Sequence, residues 1–266
     1  GISFSGSFGW TFEGRGSFTL LSAGKVWSSS NQTIQMIGGT LTLQDAWSSS
    51  GGFTFNNGTL ITNNFNYSGV FISSSNTNTR ALQFGSSLIT ISQTTGNAIN
   101  FTTSTGMTLT AGTSTILFSN TGASSKTFVG GGLTYNDLKI AGGGTGEVII
   151  TGANTFNRIY TDGGGTKSIT LPGSTTTTIL SGQGLGNGAN LITFTASAGS
   201  ATVSKAAGKV KWNYVSLTNI PSTGGAVFYA GINSTDGGGN TGWLFRNAPS
   251  SGASKKVRLF YKFPLR

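Results

Sequence analysis

Gly39-Thr40-Leu41-Thr42-Leu43, Gly106-Met107-Thr108-Leu109 and Lys167-Ser168-Ile169-Thr170-Leu171 share one pattern, an apolar-Thr-apolar triplet that follows a small residue. In extended backbone successive side chains point to opposite sides, so each triplet puts two apolar groups on one face and a threonine on the other. The same period of two runs through Phe53-Thr54-Phe55, Leu88-Ile89-Thr90-Ile91, Ile99-Asn100-Phe101, Leu138-Lys139-Ile140 and Ala201-Thr202-Val203. Clusters such as Ser48-Ser49-Ser50-Gly51-Gly52, Ser73-Ser74-Ser75-Asn76 and Gly142-Gly143-Gly144 separate these runs and supply turns. No segment sustains a 3.6-residue apolar period, so almost no helix is expected. Strand centres recur about every 8–12 residues, a spacing that suits a sandwich, barrel or solenoid. Units this short cannot bury an apolar face alone and must stack on their neighbours. The expected fold is therefore all-β, a parallel β-solenoid (β-helix) of roughly 20–30 residues per coil with three short strands in each. A β-sandwich or jelly roll is the alternative. Stacked coils would also align Ser, Thr and Asn into hydrogen-bonded ladders.

The composition fits an ordered chain with an unusual surface. Of 266 residues 43 are Gly and only 8% are charged, yet 11% are aromatic, including 18 Phe. Disordered chains are poor in aromatics and rich in charge, so here neutral Ser, Thr and Asn stand in for the usual charged exterior. There is no Cys and no His. Ser-His-Asp and Cys-His catalysis are excluded as usually built, zinc lacks its imidazole and thiolate ligands, and no cofactor is implied. Paired carboxylates remain as an option for glycan cleavage, but Glu13, Asp45, Asp137, Glu147, Asp162 and Asp236 are the whole supply. The chain is expected not to be an enzyme. Apolar runs of about four residues are far below the ~18 needed for a membrane-spanning helix. The opening Gly1-Ile2-Ser3-Phe4 has neither a basic nor an apolar leader region, so no signal peptide is expected, and the missing Met points to a processed or partial chain.

Sixteen Lys and Arg against six acids give a net charge of +10. The excess is local. From Ala201 onward nine bases face the single acid Asp236, whereas the first 200 residues hold seven bases and five acids. Composition also shifts near Pro221, so residues 1–220 are expected to form the strand array and residues 221–266 a C-terminal cap or interaction segment. In that segment Val257, Leu259, Tyr261 and Phe263 alternate with Lys256, Arg258, Phe260 and Lys262, an amphipathic strand that could contact a neighbouring subunit. Nucleic acid is an unlikely partner because no recognisable module accompanies the basic residues. The loop from Asn233 to Asn240 carries one carboxylate, too little charge for calcium. With Trp243 nearby, Asp236 and Asn240 could instead bind sugar hydroxyls against an apolar ring. The runs Gly142-Gly143-Gly144-Thr145-Gly146 and Gly182-Gln183-Gly184-Leu185-Gly186 lack the helix and lysine of a phosphate loop and are read as turns.

The run Thr127-Phe128-Val129-Gly130-Gly131-Gly132-Leu133-Thr134-Tyr135-Asn136-Asp137-Leu138, together with Gly152-Ala153-Asn154-Thr155-Phe156 and the stretch from Tyr229 to Trp243, resembles Gly/Thr-rich β-repeat surface proteins of phages and environmental bacteria. The resemblance covers about half the chain and brings no catalytic motif. It implies a phage structural or receptor-binding protein, or a bacterial adhesin. The expectation is a non-enzymatic structural or adhesive protein of a virion (fibre, tail or capsid decoration), located on the virion or cell surface. Its partners would be further copies of itself, as a trimer or longer assembly, and a surface glycan or other anionic surface. The alternatives are a carbohydrate-binding or depolymerising tail protein and a fibre-forming extracellular subunit of a bacterium.

Overall fold

The computed structural model describes residues 9–28, 31–141, 145–161, 167–181 and 191–250. Every strand pairing in it is parallel, and strands pair with the neighbouring coils rather than with their sequence neighbours. The result is a β-solenoid of about nine turns. At ~4.8 Å per coil the stack is roughly 40–45 Å long. Among the described residues there is no helix.

Each coil carries three straight segments. In the third coil they lie at 52–56, 59–61 and Tyr67–Gly69; in the fifth, at Gly96–Asn100, Met107–Thr110 and Thr115–Phe118. The first and second faces make up a 14-stranded sheet at the N-terminal end, and the third face belongs to a ten-stranded one. Past the undescribed residues 182–190, Lys209–Lys211, Val227–Tyr229 and Trp243–Leu244 form a separate three-stranded sheet. Coil length varies without breaking register. Partners are 19 residues apart at Val203 and Ser222 but 27 apart at Leu88 and Thr115, the extra residues going into the corners.

Register turns the period-two pattern into columns. Phe53, Ile72, Ile99, Phe128 and Ile150 stack along the first face, and Tyr67, Ile89, Ile116, Leu138 and Ile159 along the third. All ten are buried. Each full burial contributes about 1.5–3 kcal/mol, realised only because the coils above and below close the layer. Aromatic rings concentrate in three groups: Trp47 with Phe53 and Tyr67, Phe128 with Tyr135 and Phe156, and Trp212 with Phe194 and Trp243.

Outward positions carry the polar ladders. Thr170 and Thr195 share a 3.0 Å hydrogen bond between successive coils, and inside a corner Ser87 Oγ donates to Thr62 Oγ1 at 2.7 Å. Asparagines hold neighbouring corners together: Asn64 Oδ1 accepts from Ser86 N, and Asn66 Oδ1 from Leu88 N, both at 2.9 Å. Gly58 shows why glycine marks the corners. Its φ is +85°, and a Cβ there would lie 1.9 Å from the Met36 carbonyl oxygen of the preceding coil.

The composition shift at Pro221 is not a break in this stack. Ser222–Thr223 pairs with Thr202–Ser204, Thr235–Asp236 with Val215–Thr218, and Trp243–Leu244 with Val227–Tyr229. Coils therefore continue through the start of the segment expected to be a cap. Residues 251–266, including the expected contact residues Lys256, Val257, Arg258, Leu259, Tyr261, Lys262 and Phe263, lie outside the described residues.

Candidate functional site

The three residues proposed for a glycan are close together, but Asn240 and Trp243 are buried. Asp236 stands in register with the fully buried Leu217, on the last described rung of the first face. Its Oδ1 accepts from Gly238 N at 3.0 Å and from Asn240 Nδ2 at 2.6 Å. Asn240 is buried; the same amide nitrogen donates to Leu217 O at 2.7 Å, and its Oδ1 accepts from Ile220 N at 2.8 Å. Trp243 is only 7% exposed, with Nε1 bonded to Ile220 O at 2.8 Å and its ring between Trp212 and Phe228. It is a core residue, not an open platform for a sugar ring. The constellation stitches the last two coils together, and Asp236 alone of the three is open to solvent.

Three other described acids are tied into the scaffold, while Glu13 is exposed. Asp45 accepts from Ser22 N at 2.7 Å, from Ser22 Oγ at 2.9 Å and from Gly24 N at 3.3 Å, and the Ser22 backbone bond is the main cause that lowers its pKa below the ordinary value of 3.8. Asp137 is buried and takes bonds from Asn157 Nδ2 and Arg158 Nε, both at 2.9 Å, while the Arg158 guanidinium lies 4.3 Å from the centre of the Tyr160 ring. The Asp137 bond holds the Arg158 pKa up. Glu147 accepts from Thr170 Oγ1 in the next coil and from Ser125 Oγ in the one before. Among the described residues no three acids gather into a metal-binding group.

Three cations sit where the fold calls for apolar side chains. Arg80, Lys126 and Lys167 are at most 2% exposed. Arg80 is held by neutral acceptors: Nε donates to Ser74 Oγ at 2.6 Å, Nη1 to Asn78 O and Thr105 O at 2.9 Å, and Nη2 to Ser74 O at 2.8 Å and Thr103 O at 2.6 Å. Its five donors therefore close the corner between the first and second faces across successive coils. Lys126 Nζ instead closes its own loop, donating to Gly122 O and Ser124 O at 3.2 and 3.1 Å. Burial pulls both pKa values down. The sequence held a signal for these plugs: Arg80, Lys126 and Lys167 lie two residues before the inward-facing Leu82, Phe128 and Ile169, on the apolar parity.

The space lined by Leu43, Trp47, Phe53, Leu60, Tyr67 and Phe84 is packing space within the stack rather than a cleft. Comparison with protein families, with curated proteins and with solved structures found no match.

Proposed function

We propose that this chain is a passive structural or adhesive element of an exposed surface, a rigid strut displayed outside a phage particle or a cell. The observation that supports this is the coil-on-coil stack, in which buried side chains fill the interior and Asp45, Asp137 and Glu147 tie neighbouring coils. Such a stack resists bending because successive inner coils are strand-paired to the coils on either side. Its outer surface offers repeated neutral hydroxyls and amides with few charges, suited to many weak contacts along a partner surface.

Immunogold electron microscopy of intact particles and cells, with antibody raised against the purified chain, tests the location. Labelling of the outer surface is expected; label that appears only after particles or cells are broken open overturns it. Incubating the purified chain with polysaccharides tests the passive role. Glycan turnover that disappears when two of the acids are substituted would reverse that part of the reading.

A further inference from the structure

Ser168-Ile169-Thr170, Thr193-Phe194-Thr195 and Ser216-Leu217-Thr218 lie one above another on the first face. Ser168 is in register with Thr193 and Thr193 with Ser216, while Thr170 is in register with Thr195 and Thr195 with Thr218. Thr235 carries the first column into the last described rung, and Gly237, where a Cβ would lie 2.2 Å from Thr218 Oγ1, closes the second. The central Ile169, Phe194 and Leu217 are at most 1% exposed, so the hydroxyl residues on either side of them point outward. No register shift interrupts the pairings of this block, whereas the same face is irregular at Ile34/Gln35 and at Asn97/Ile99. The hydroxyls therefore form a regular two-column lattice, repeating at ~4.8 Å from coil to coil and ~6.6 Å along each strand. Glu147, one coil earlier, marks its border. The Thr170 hydroxyl is taken up by Glu147 and Thr195, and that residue is only 8% exposed, so the open part of the lattice is Ser168, Thr193, Thr195, Ser216, Thr218 and Thr235.

We propose that this lattice binds ice. Each outward hydroxyl holds a water, and the scaffold fixes the rows at two repeats close to those between oxygen atoms on the faces of hexagonal ice. A single such water contributes little, because immobilising it costs up to ~2 kcal/mol. Many waters held at preset positions act together, since the ordering of the protein side is complete before ice arrives. The threonine methyl groups line the space between rows and offer the water no competing donor or acceptor. A charged side chain would keep its own hydration shell out of step with the crystal, and the outward positions of the block are all Ser or Thr up to Gly237. A dissolved sugar is the poorer occupant, because no aromatic ring stands at these outward positions to stack against it. Ice binding goes beyond the structural role proposed above and does not depend on where the chain is displayed.

Growing single ice crystals in a solution of the purified full chain tests this. A gap between the melting and growth temperatures, faceted crystals and slowed coarsening of polycrystalline ice are expected. Thr193→Tyr and Thr218→Tyr each put a bulky ring into the lattice at an outward position, and each should cut the gap by at least half with unchanged circular dichroism. Thr178→Tyr, outward on the third face between the buried Thr177 and Ile179, should leave it unchanged. Ice growth no different from that in an equal mass of serum albumin overturns the proposal, whatever the variants do. An unshifted gap in both lattice variants, or an equal loss in all three, overturns the assignment to this face. Retention of the chain on crystalline cellulose, lost in the lattice variants and unaccompanied by any effect on ice, would give the lattice to a solid polysaccharide and equally overturns it.

Discussion

The two ends of the stack are finished by different chemistry. At the N-terminal end Trp10 and Phe18 occupy inward positions and stay exposed, and the turn at Ser22 and Gly24 is fastened to the second coil by the carboxylate of Asp45. At the C-terminal end Asp236 occupies the inward position, and the neutral amide of Asn240 bonds Leu217 O and Ile220 N while Trp243 closes the core beneath it. A solenoid has no intrinsic stopping point, because each coil offers the next the same edge it received. Among the described residues the first coil shows exposed apolar side chains and the last a polar rung that bonds within itself.

An interior change sets the scale for both ends. Arg80→Met removes all five donors from the corner shared by successive coils and leaves their carbonyls buried; a loss of about 3–5 kcal/mol is expected in denaturant unfolding. A loss under about 1 kcal/mol would mean that water replaces the guanidinium and that the corner is not a plug. The C-terminal stitch comes next. Asn240→Ala forfeits bonds to Leu217, Ile220 and Asp236, and about 2–3 kcal/mol should go with them, with amide exchange accelerating first at Ile220.

Acid separates the ends most cleanly. The Asp45 pKa is lowered in the folded chain, so the stability it lends is complete above the ordinary carboxylate value of 3.8 and drains away as the pH falls through the folded value. Between pH 5 and pH 2 the Ser22 and Gly24 amides should lose protection from hydrogen exchange while Ile220, held by a side chain that does not titrate, keeps its own. Loss at both ends together would erase the contrast. Leu21→Ser is the smallest expected effect: unfolding free energy of the single chain should stay within about 0.5 kcal/mol, since the side chain is two-thirds exposed. A larger loss would show that the N-terminal end is already covered within one chain.

Much of this architecture was legible in the sequence. Leu41-Thr42-Leu43, Met107-Thr108-Leu109 and Ile169-Thr170-Leu171 are strands with the inner and outer faces that their alternation predicts, although Leu109 is only partly buried. The candidate glycan triad was legible only as a cluster. Asp236, Asn240 and Trp243 do meet, but a loop sequence with two polar groups and an indole looks the same whether the ring faces solvent or core. The change at Pro221 falls within coils that continue through the described residues. Aromatic residues gather there while the chain keeps winding, because inward positions accept apolar side chains of many shapes.

Sequence alone determined the class: period-two strands separated by glycine-rich corners, too short to bury anything singly, leave stacking as the stable outcome, and the absence of His and Cys removes the commonest catalytic chemistries. Tertiary structure decided which residue sits above which. That register is set over separations of 15 to 30 residues by insertions in the corners, which local propensity does not encode. It placed Arg80 among carbonyls and drew Trp243 into the core, because a side chain's environment in a solenoid is supplied by the neighbouring coils and not by its own strand.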